Sequence, residues 1–267
     1  LHASFHKEID KKKALMEKGE LKTNDIISLL IRDRHCVDDD ELVTHMLTML
    51  GAGHETVAVS ITWAVYEFAR NPEWQKSIRA EVRQVLRNPR PDAPPEYADF
   101  EADKMPLLNA FVSEVLRYWP AIPFSSRTAA KDCTLQGVFI PATTKISWSI
   151  VAINRDEDNF GPDAATFNPS RWLRKDDNTG AMIYDANGGA LHKLANMTFL
   201  HGQRACIGRV FARQKMLNLL ACWVARFDWV LTDVAQMDEE KVAISGGGLT
   251  SRPQNGMYVN ARRVDGW

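Results

Sequence analysis

Cysteine is scarce in this 267-residue chain: only Cys36, Cys133, Cys206 and Cys222 occur, and no two form a CxxC pair. That spacing excludes a disulfide framework and argues against structural zinc, and it suits a reducing compartment. Charge of one sign is lacking too, because Lys+Arg 33 against Asp+Glu 34 leaves a net charge of −1. Binding to nucleic acid through bulk charge is therefore disfavoured. No run approaches the ~18 uncharged apolar residues that would span a bilayer. Repeats and low-complexity tracts are missing, as are a Gly-Lys-Ser/Thr phosphate loop and a serine in a nucleophile elbow. His54-Glu55 lacks the second histidine of a zinc protease, since Ala58 stands one turn on. Gly51-Ala52-Gly53 is part of a dinucleotide fingerprint, but it lies in a helical pattern rather than after a strand. The triple glycine 246–248 precedes no helix and reads as a flexible turn. The first residues, Leu1-His2-Ala3-Ser4, form neither a signal peptide nor a methionine start, and they read as a cut through something longer.

What is present is ordinary globular material: 45% hydrophobic, 25% charged and 9% aromatic residues, in a length ample for a sizeable core. Lys11-Lys12-Lys13 reads as a solvated helix face. Thr23-Asn24-Asp25 starts a helix bearing Ile26, Ile27, Leu29 and Leu30. Asp38-Asp39-Asp40-Glu41 suits the positive end of a second helix, whose pattern runs to Arg70, where Asn71-Pro72 stops it. At 1.5 Å per residue that helix is roughly 50 Å long. Gly51 and Gly53 near its middle each cost about 1 kcal/mol relative to alanine. Close approach by another body, a local distortion, or tight helix packing would account for them.

Pro72 and Pro106 each open a helix at its first position. The first carries Trp74, Ile78, Val82 and Val85, and the second carries Leu108, Phe111, Val112 and Val115; the prolines at 89, 91, 94 and 95 form a loop between them. Strand-like runs follow at 134–136, 138–140 and 145–151, with a turn at Gly137. Residues 154–189 are polar and read mostly as loop. A last long helix follows Gly208, with Leu217, Leu220, Val224 and Phe227 on one face, and Met257-Tyr258-Val259 reads as a strand. Cys36, Cys133 and Cys222 are expected to be buried small hydrophobes.

Cys206 differs. It stands just before a long helix, where unpaired N–H groups and the dipole favour thiolate over thiol. Gly202 allows a tight turn, Gly208 leaves room for a flat body against the backbone, and Arg204 supplies a fixed cation for an external carboxylate. With Phe199, these residues make a socket for a metal macrocycle; a redox-sensitive or merely structural cysteine is the alternative.

The run Phe199-Leu200-His201-Gly202-Gln203-Arg204-Ala205-Cys206-Ile207-Gly208 resembles the haem-binding signature of the cytochromes P-450, Phe-x-x-Gly-x-Arg-x-Cys-x-Gly. Ala52-Gly53-His54-Glu55-Thr56 resembles that family's oxygen-binding stretch, Glu114-Val115-Leu116-Arg117 its Glu-x-x-Arg pair, and Phe167-Asn168-Pro169-Ser170-Arg171-Trp172 its Phe-x-Pro-x-Arg-aromatic element. The resemblance runs from about Asp25 to the C-terminus. It implies a mainly α fold with a small β component, the C-terminal, haem-ligating part of the family fold with its long central helix. Residues 1–267 would then be one partial domain, with the N-terminal part of the fold and its membrane anchor absent.

The cofactor so implied is haem b (iron protoporphyrin IX), with Cys206 as axial thiolate pushing electron density toward O–O cleavage. Arg204, and at a less constant position Arg127, would bind propionates. Phe199 would shield the thiolate, and Gly202 and Gly208 would shape the socket. On the central helix, Thr56 would bond back to the Ala52 carbonyl and open a groove kept clear by Gly53. With Glu55, it would pass the protons that O–O scission consumes; Val57 stands where the family often has a hydroxyl. Glu114 and Arg117 by spacing read as a surface pair off the apolar stripe. The resemblance instead implies a buried structural triad with Arg171. Met49, Leu50, Ala52, Ile122, Phe124, Gly248 and Leu249 would face a lipophilic small-molecule substrate.

The activity implied is insertion of one atom of O2 into that substrate. Electrons would come from an NADPH-dependent flavoprotein reductase docking where Arg204, Arg209, Arg213 and Lys215 supply charge. The polar insert 175–194 resembles microsomal members, implying an endoplasmic-reticulum setting, and secondary metabolism is the implied context. A haem-thiolate isomerase or dehydratase, and a truncated haem-binding or non-catalytic fragment, are the other readings.

Overall fold

A computed structural model describes residues 2–33, 38–86, 95–245 and 248–266. Cys36, most of the proline loop, Gly246 and Gly247 lie outside the described residues. The chain divides into two compact units, residues 1–55 and 56–267.

The first unit holds α1 (His2–Glu17), α2 (Ile26–Asp33) and the leading part of α3 (Asp39–Arg70). Its core is small and apolar: Ile9, Ile31, Leu42 and Val43. Asp25 caps α2, its Oδ1 accepting from Ser28 N at 3.0 Å. The Lys12 ammonium donates to Asp25 Oδ2 at 2.7 Å and to Ser28 Oγ at 3.0 Å, and it holds the Asp25 carboxyl well below the usual carboxylate range. The lysine run is therefore not simply a solvated face. Lys12 is turned onto this cap and Lys13 pairs with Asp39. A Cβ at Gly51 or Gly53 would meet nothing within 4 Å among the described residues, so no packed neighbour accounts for either glycine.

The second unit continues α3 from Thr56 and adds α4 (Pro72–Val85), α5 (Pro106–Tyr118), the short α6 (Ile150–Asn154) and α7 (Glu157–Phe160), and α8 (Arg209–Arg226). Pro72 and Pro106 occupy first-turn positions, where the missing N–H costs nothing. The cap that Met105 cannot supply to α5 comes from α4: Glu81 accepts from Leu107 N at 2.8 Å and Leu108 N at 2.9 Å. Burial pushes Glu81 up to about 7, outweighing these two donors. Every residue of α5 from Leu108 to Tyr118 is buried. It stands at the centre of the unit, with Phe111 stacked on Phe68 at 4.2 Å between ring centroids. Trp63 stacks on Trp119 at 3.9 Å and donates to Ser251 O at 2.7 Å, which ties α3 to the tail.

The strands are β1 (Phe124–Thr128), β2 (Cys133–Leu135), β3 (Val138–Ile140), β4 (Lys145–Ser149), β5 (Leu173–Lys175), β6 (Met182–Tyr184), β7 (Phe227–Leu231) and β8 (Val259–Arg263). They pair antiparallel as β1–β4, β2–β3, β5–β6 and β7–β8. Mainly α with a small β component is thus the observed class.

Several expectations fail at element ends. The strand expected through Val151 stops at Ser149, whose side chain accepts from Ala152 N and starts α6 instead. β1 is unforeseen, and so are α7, β5 and β6 within the stretch expected to be loop. Phe227 begins β7 rather than ending a helix face, and its pairing with Arg263 moves the tail strand to 259–263. Cys133 and Cys222 are exposed rather than buried. All three residues of β2 face solvent, and Cys222 falls on the outer side of α8, next to buried Ala221.

Candidate functional site

Cys206 sits in a tight loop that the backbone closes on itself. Gly202 adopts φ +75 and Leu200 φ +57, the left-handed region that glycine alone enters without cost. Ala205 N donates to Gly202 O at 3.0 Å, and Cys206 N donates to Phe199 O at 2.8 Å. The loop then enters α8 through Gly208, where an added Cβ would lie 3.9 Å from Cys206 Sγ. Nothing in the loop covers the sulfur, and Cys206 is exposed.

Distant segments meet at this sulfur. Cys206, Arg204, Phe199, Ile122 and Thr56 line one cavity. Its walls include Val57, Ala121, Ile150, Ala212 and Met216, which are apolar. Ser60, Ser125 and Thr198 add hydroxyls that sequence reading missed. Ser60 was within reach of a helix-face argument, for it lies four residues after Thr56 and donates its Oγ to Thr56 O at 3.0 Å.

Other expected residues lie elsewhere. Arg127 is exposed, donates to Ser126 O at 2.8 Å, and places its guanidinium 5.5 Å from the Trp148 ring centroid. Phe124, Leu249, Gly202 and Gly248 are exposed and outside the cavity lining, and Gly208, partly buried, is outside it too. Met49, Leu50, Ala52, Gly53 and Glu55 belong to the first unit, where Leu50 is exposed. Ile207 is 87% exposed and Phe211 66%, so large apolar side chains flank Cys206 without a cover.

Behind the loop, Glu114 and Arg117 are buried, not on the solvated face that their spacing suggested. Glu114 Oε1 also accepts from Arg171 Nε at 3.2 Å and Asn168 N at 2.7 Å, and Oε2 accepts from Trp172 Nε1 at 2.9 Å. Arg117 donates onward to the carbonyls of Asn154 and Ala164. Asn154, unforeseen, completes the brace. Its amide donates to Arg117 O and to Thr198 Oγ1, and its Oδ1 accepts from Met197 N. Thr198 Oγ1 donates in turn to Leu116 O at 2.7 Å. No periodicity could point to Asn154, because its partners, Arg117 on one side and Met197 and Thr198 on the other, lie in two segments distant in sequence.

Arg213, expected among outward charges, turns inward and donates to Ser113 Oγ at 2.8 Å and Asn109 Oδ1 at 3.0 Å. Arg204 and Arg209 remain exposed.

Comparison with known proteins adds the following. The family model described as Cytochrome P-450 matches residues 1–258. The cytochrome P-450 monooxygenase buaD of Petromyces alliaceus is 42% identical over 246 residues, covering 91% of this chain and 44% of that protein. The cytochrome P-450 monooxygenase sphH of Aspergillus fumigatus is 37% identical, covering 91% of this chain and 42% of its own length. The mitochondrial 25-hydroxyvitamin D-1 alpha hydroxylase of Rattus norvegicus is 32% identical over 73% of this chain and 36% of that protein. The chain thus spans less than half the length of these relatives.

Proposed function

The chain belongs to the cytochrome P-450 family, and we propose that it forms the haem-ligating part of a monooxygenase that inserts one atom of O2 into a lipophilic small molecule. The observation that carries this is the convergence of Cys206, Arg204 and Thr56 on one largely apolar cavity. The residues fit an iron porphyrin. They offer a soft sulfur ligand at the end of a loop, a cation beside it for a propionate, and bare apolar side chains where a flat macrocycle would lie.

Bound there, the haem would supply dioxygen binding and O–O cleavage. Cys206 Sγ would hold the iron as a thiolate, and Arg204 would pair with a propionate. Phe199 would keep water from the sulfur, while its carbonyl O, already accepting from Cys206 N, fixes the loop. Gly202 would set the turn that aims Sγ outward. Across the cavity, the Thr56 hydroxyl would hand on protons received through Glu55, its neighbour in sequence. The Glu114–Arg117–Arg171 brace touches none of the reacting atoms, and its task would be to keep the Cys206 loop in register with α5.

Electrons would come from an NADPH-dependent flavoprotein reductase meeting the Cys206 face, with Arg204, Arg209 and Lys215 as its cations; Arg213 is withdrawn from that set. Among the described residues no helix is long and apolar enough to cross a membrane, so an endoplasmic-reticulum setting rests on family likeness alone. The test is a carbon-monoxide difference spectrum of the reduced, haem-loaded protein. A thiolate-type Soret band is expected, lost in Cys206→Ala; a band that survives the substitution would remove Cys206 as ligand.

A further inference from the structure

A second cleft, of about 500 Å³, shares Leu116, Phe199 and Leu200 with the Cys206 cavity but is lined by neither Cys206 nor Thr56. Its volume lies in the range of sites for small organic ligands. The charge along it is one-sided: Lys193, Arg209 and Arg213 are fixed cations, His192 and His201 add imidazoles, and Glu101 is the one carboxylate of the lining.

Arg213 carries the argument. It is half-buried, and it donates only to neutral groups: Ser113 Oγ at 2.8 Å, Asn109 Oδ1 at 3.0 Å, Tyr184 OH at 3.2 Å and Asn109 O at 3.4 Å. Among the described residues no carboxylate comes within 4.0 Å of its nitrogens. Arg117 and Arg171, withdrawn further from water, both pair with Glu114. A cation partly withdrawn from water and met by neutral acceptors and the Tyr184 ring, 5.4 Å from its guanidinium carbon, has no counter-charge of its own and favours an anion beside it. The next residue, Gln214, also lines the cleft, and its side-chain amide nitrogen is buried with no hydrogen-bond partner. Buried donors in native proteins are almost always satisfied, so the Gln214 amide awaits an acceptor in the same cleft where Arg213 lacks a counter-charge. Beside them, Tyr97 and Val210 present apolar surface that is 60% and 62% exposed.

We propose that this cleft binds a small organic anion, an aryl phosphate or a compound of like shape and charge. The anionic group would be held by Arg213, the Gln214 amide, Lys193 and Arg209, with the planar body against Tyr97 and Val210. The assignment is independent of what Cys206 ligates.

Isothermal titration calorimetry on the protein, with phenyl phosphate as probe and inorganic phosphate and phenol as partial mimics, tests it. Saturable binding of phenyl phosphate is expected with a Kd on the order of 0.1 mM, with both mimics at least tenfold weaker. Lys193→Gln/Arg209→Gln changes exposed side chains only and should weaken phenyl phosphate binding about tenfold without moving the unfolding midpoint. Arg213→Lys, which keeps a donor in place, should weaken it further. Equal affinity for phenyl phosphate and either mimic, or a double variant that binds as the parent does, would overturn the proposal.

Discussion

Arg117 grips Glu114 with two parallel hydrogen bonds, Nε to Oε2 at 2.8 Å and Nη2 to Oε1 at 2.7 Å, and neither side chain has any solvent exposure. A pair three residues apart on a helix is ordinarily a surface contact worth ~0.5 kcal/mol or less. Here the neighbours change its meaning. Trp172, Asn168 and Arg171 donate to the same carboxylate, so removing it strands several buried donors at once.

Glu114→Ala is therefore expected to destabilise the protein by about 3–5 kcal/mol, the cost of leaving a buried partner charge uncompensated. Urea unfolding measures it. The double variant Glu114→Met/Arg117→Met should lose less than the two single variants summed, because it leaves neither charge alone. Additive losses would mean that the pair is not coupled.

A pH dependence follows from Glu81 and Glu67. Burial raises both to about 7, with the two N–H donors opposing it at Glu81 and Arg70 opposing it at Glu67. Between the ordinary glutamate value of about 4.3 and that raised value, the folded chain holds protons that the unfolded chain has released. Stability from these groups is then fully present at the acid end and falls as pH rises toward 7. Denaturant melts at about pH 5 and about pH 7 should show this loss, and Glu81→Gln should reduce it. A variant with the parent's slope would exclude Glu81 as a source.

Gly188 and Gly189 separate strain from collision. Both have positive φ, +58 and +71, but a Cβ at Gly188 would lie 2.6 Å from the Trp172 ring whereas one at Gly189 meets nothing within 4 Å. Gly189→Ala should cost about 1–2 kcal/mol from backbone strain. Gly188→Ala should cost about 1–3 kcal/mol more, since Trp172 must move and with it the Nε1 donor to Glu114. Thermal unfolding of the two variants side by side decides it.

Haem retention should distinguish the two candidate propionate arginines. Arg204 lines the Cys206 cavity, while Arg127 is occupied by Ser126 O and the Trp148 ring. Arg204→Ala is expected to weaken haem binding about tenfold, the scale of one charge-assisted hydrogen bond, with Arg127→Ala within about twofold. Titration of the haem-free protein followed by Soret absorbance measures both, and equal losses would return Arg127 to the site.

Thr56→Ala tests the distal hydroxyl. In haem-loaded protein the carbon-monoxide spectrum should be unchanged, while product formed per O2 consumed falls by about tenfold or more, as for loss of a positioned proton donor. Unchanged coupling would assign the proton route elsewhere.

Local chemistry was legible from the residues alone. Asp25, Pro72 and Pro106 announce helix starts because capping and proline geometry act within one turn of chain. The run from Phe199 to Gly208 announces its loop because Gly202 permits the left-handed turn that lets Cys206 N reach back to Phe199 O. The helix ending at Arg70 was legible because Asn71-Pro72 stops it.

Burial was a different matter, because it depends on which segments arrive from elsewhere in the chain. Wheel arithmetic put Glu114 and Arg117 on a wet face, yet α5 is surrounded, so no side of it is wet. Lone cysteines favour cores as a class, yet Cys133 lies on a hairpin strand whose three residues all face solvent. Arg213 follows the Cys206 loop like its outward neighbours, but Ser113, Asn109 and Tyr184 draw it in. Tertiary structure likewise brought Thr56 to the cavity of Cys206, for no local spacing relates a mid-chain helix to a loop near the C-terminus. The sequence determined which residues could do the chemistry, and packing decided which of them stand together.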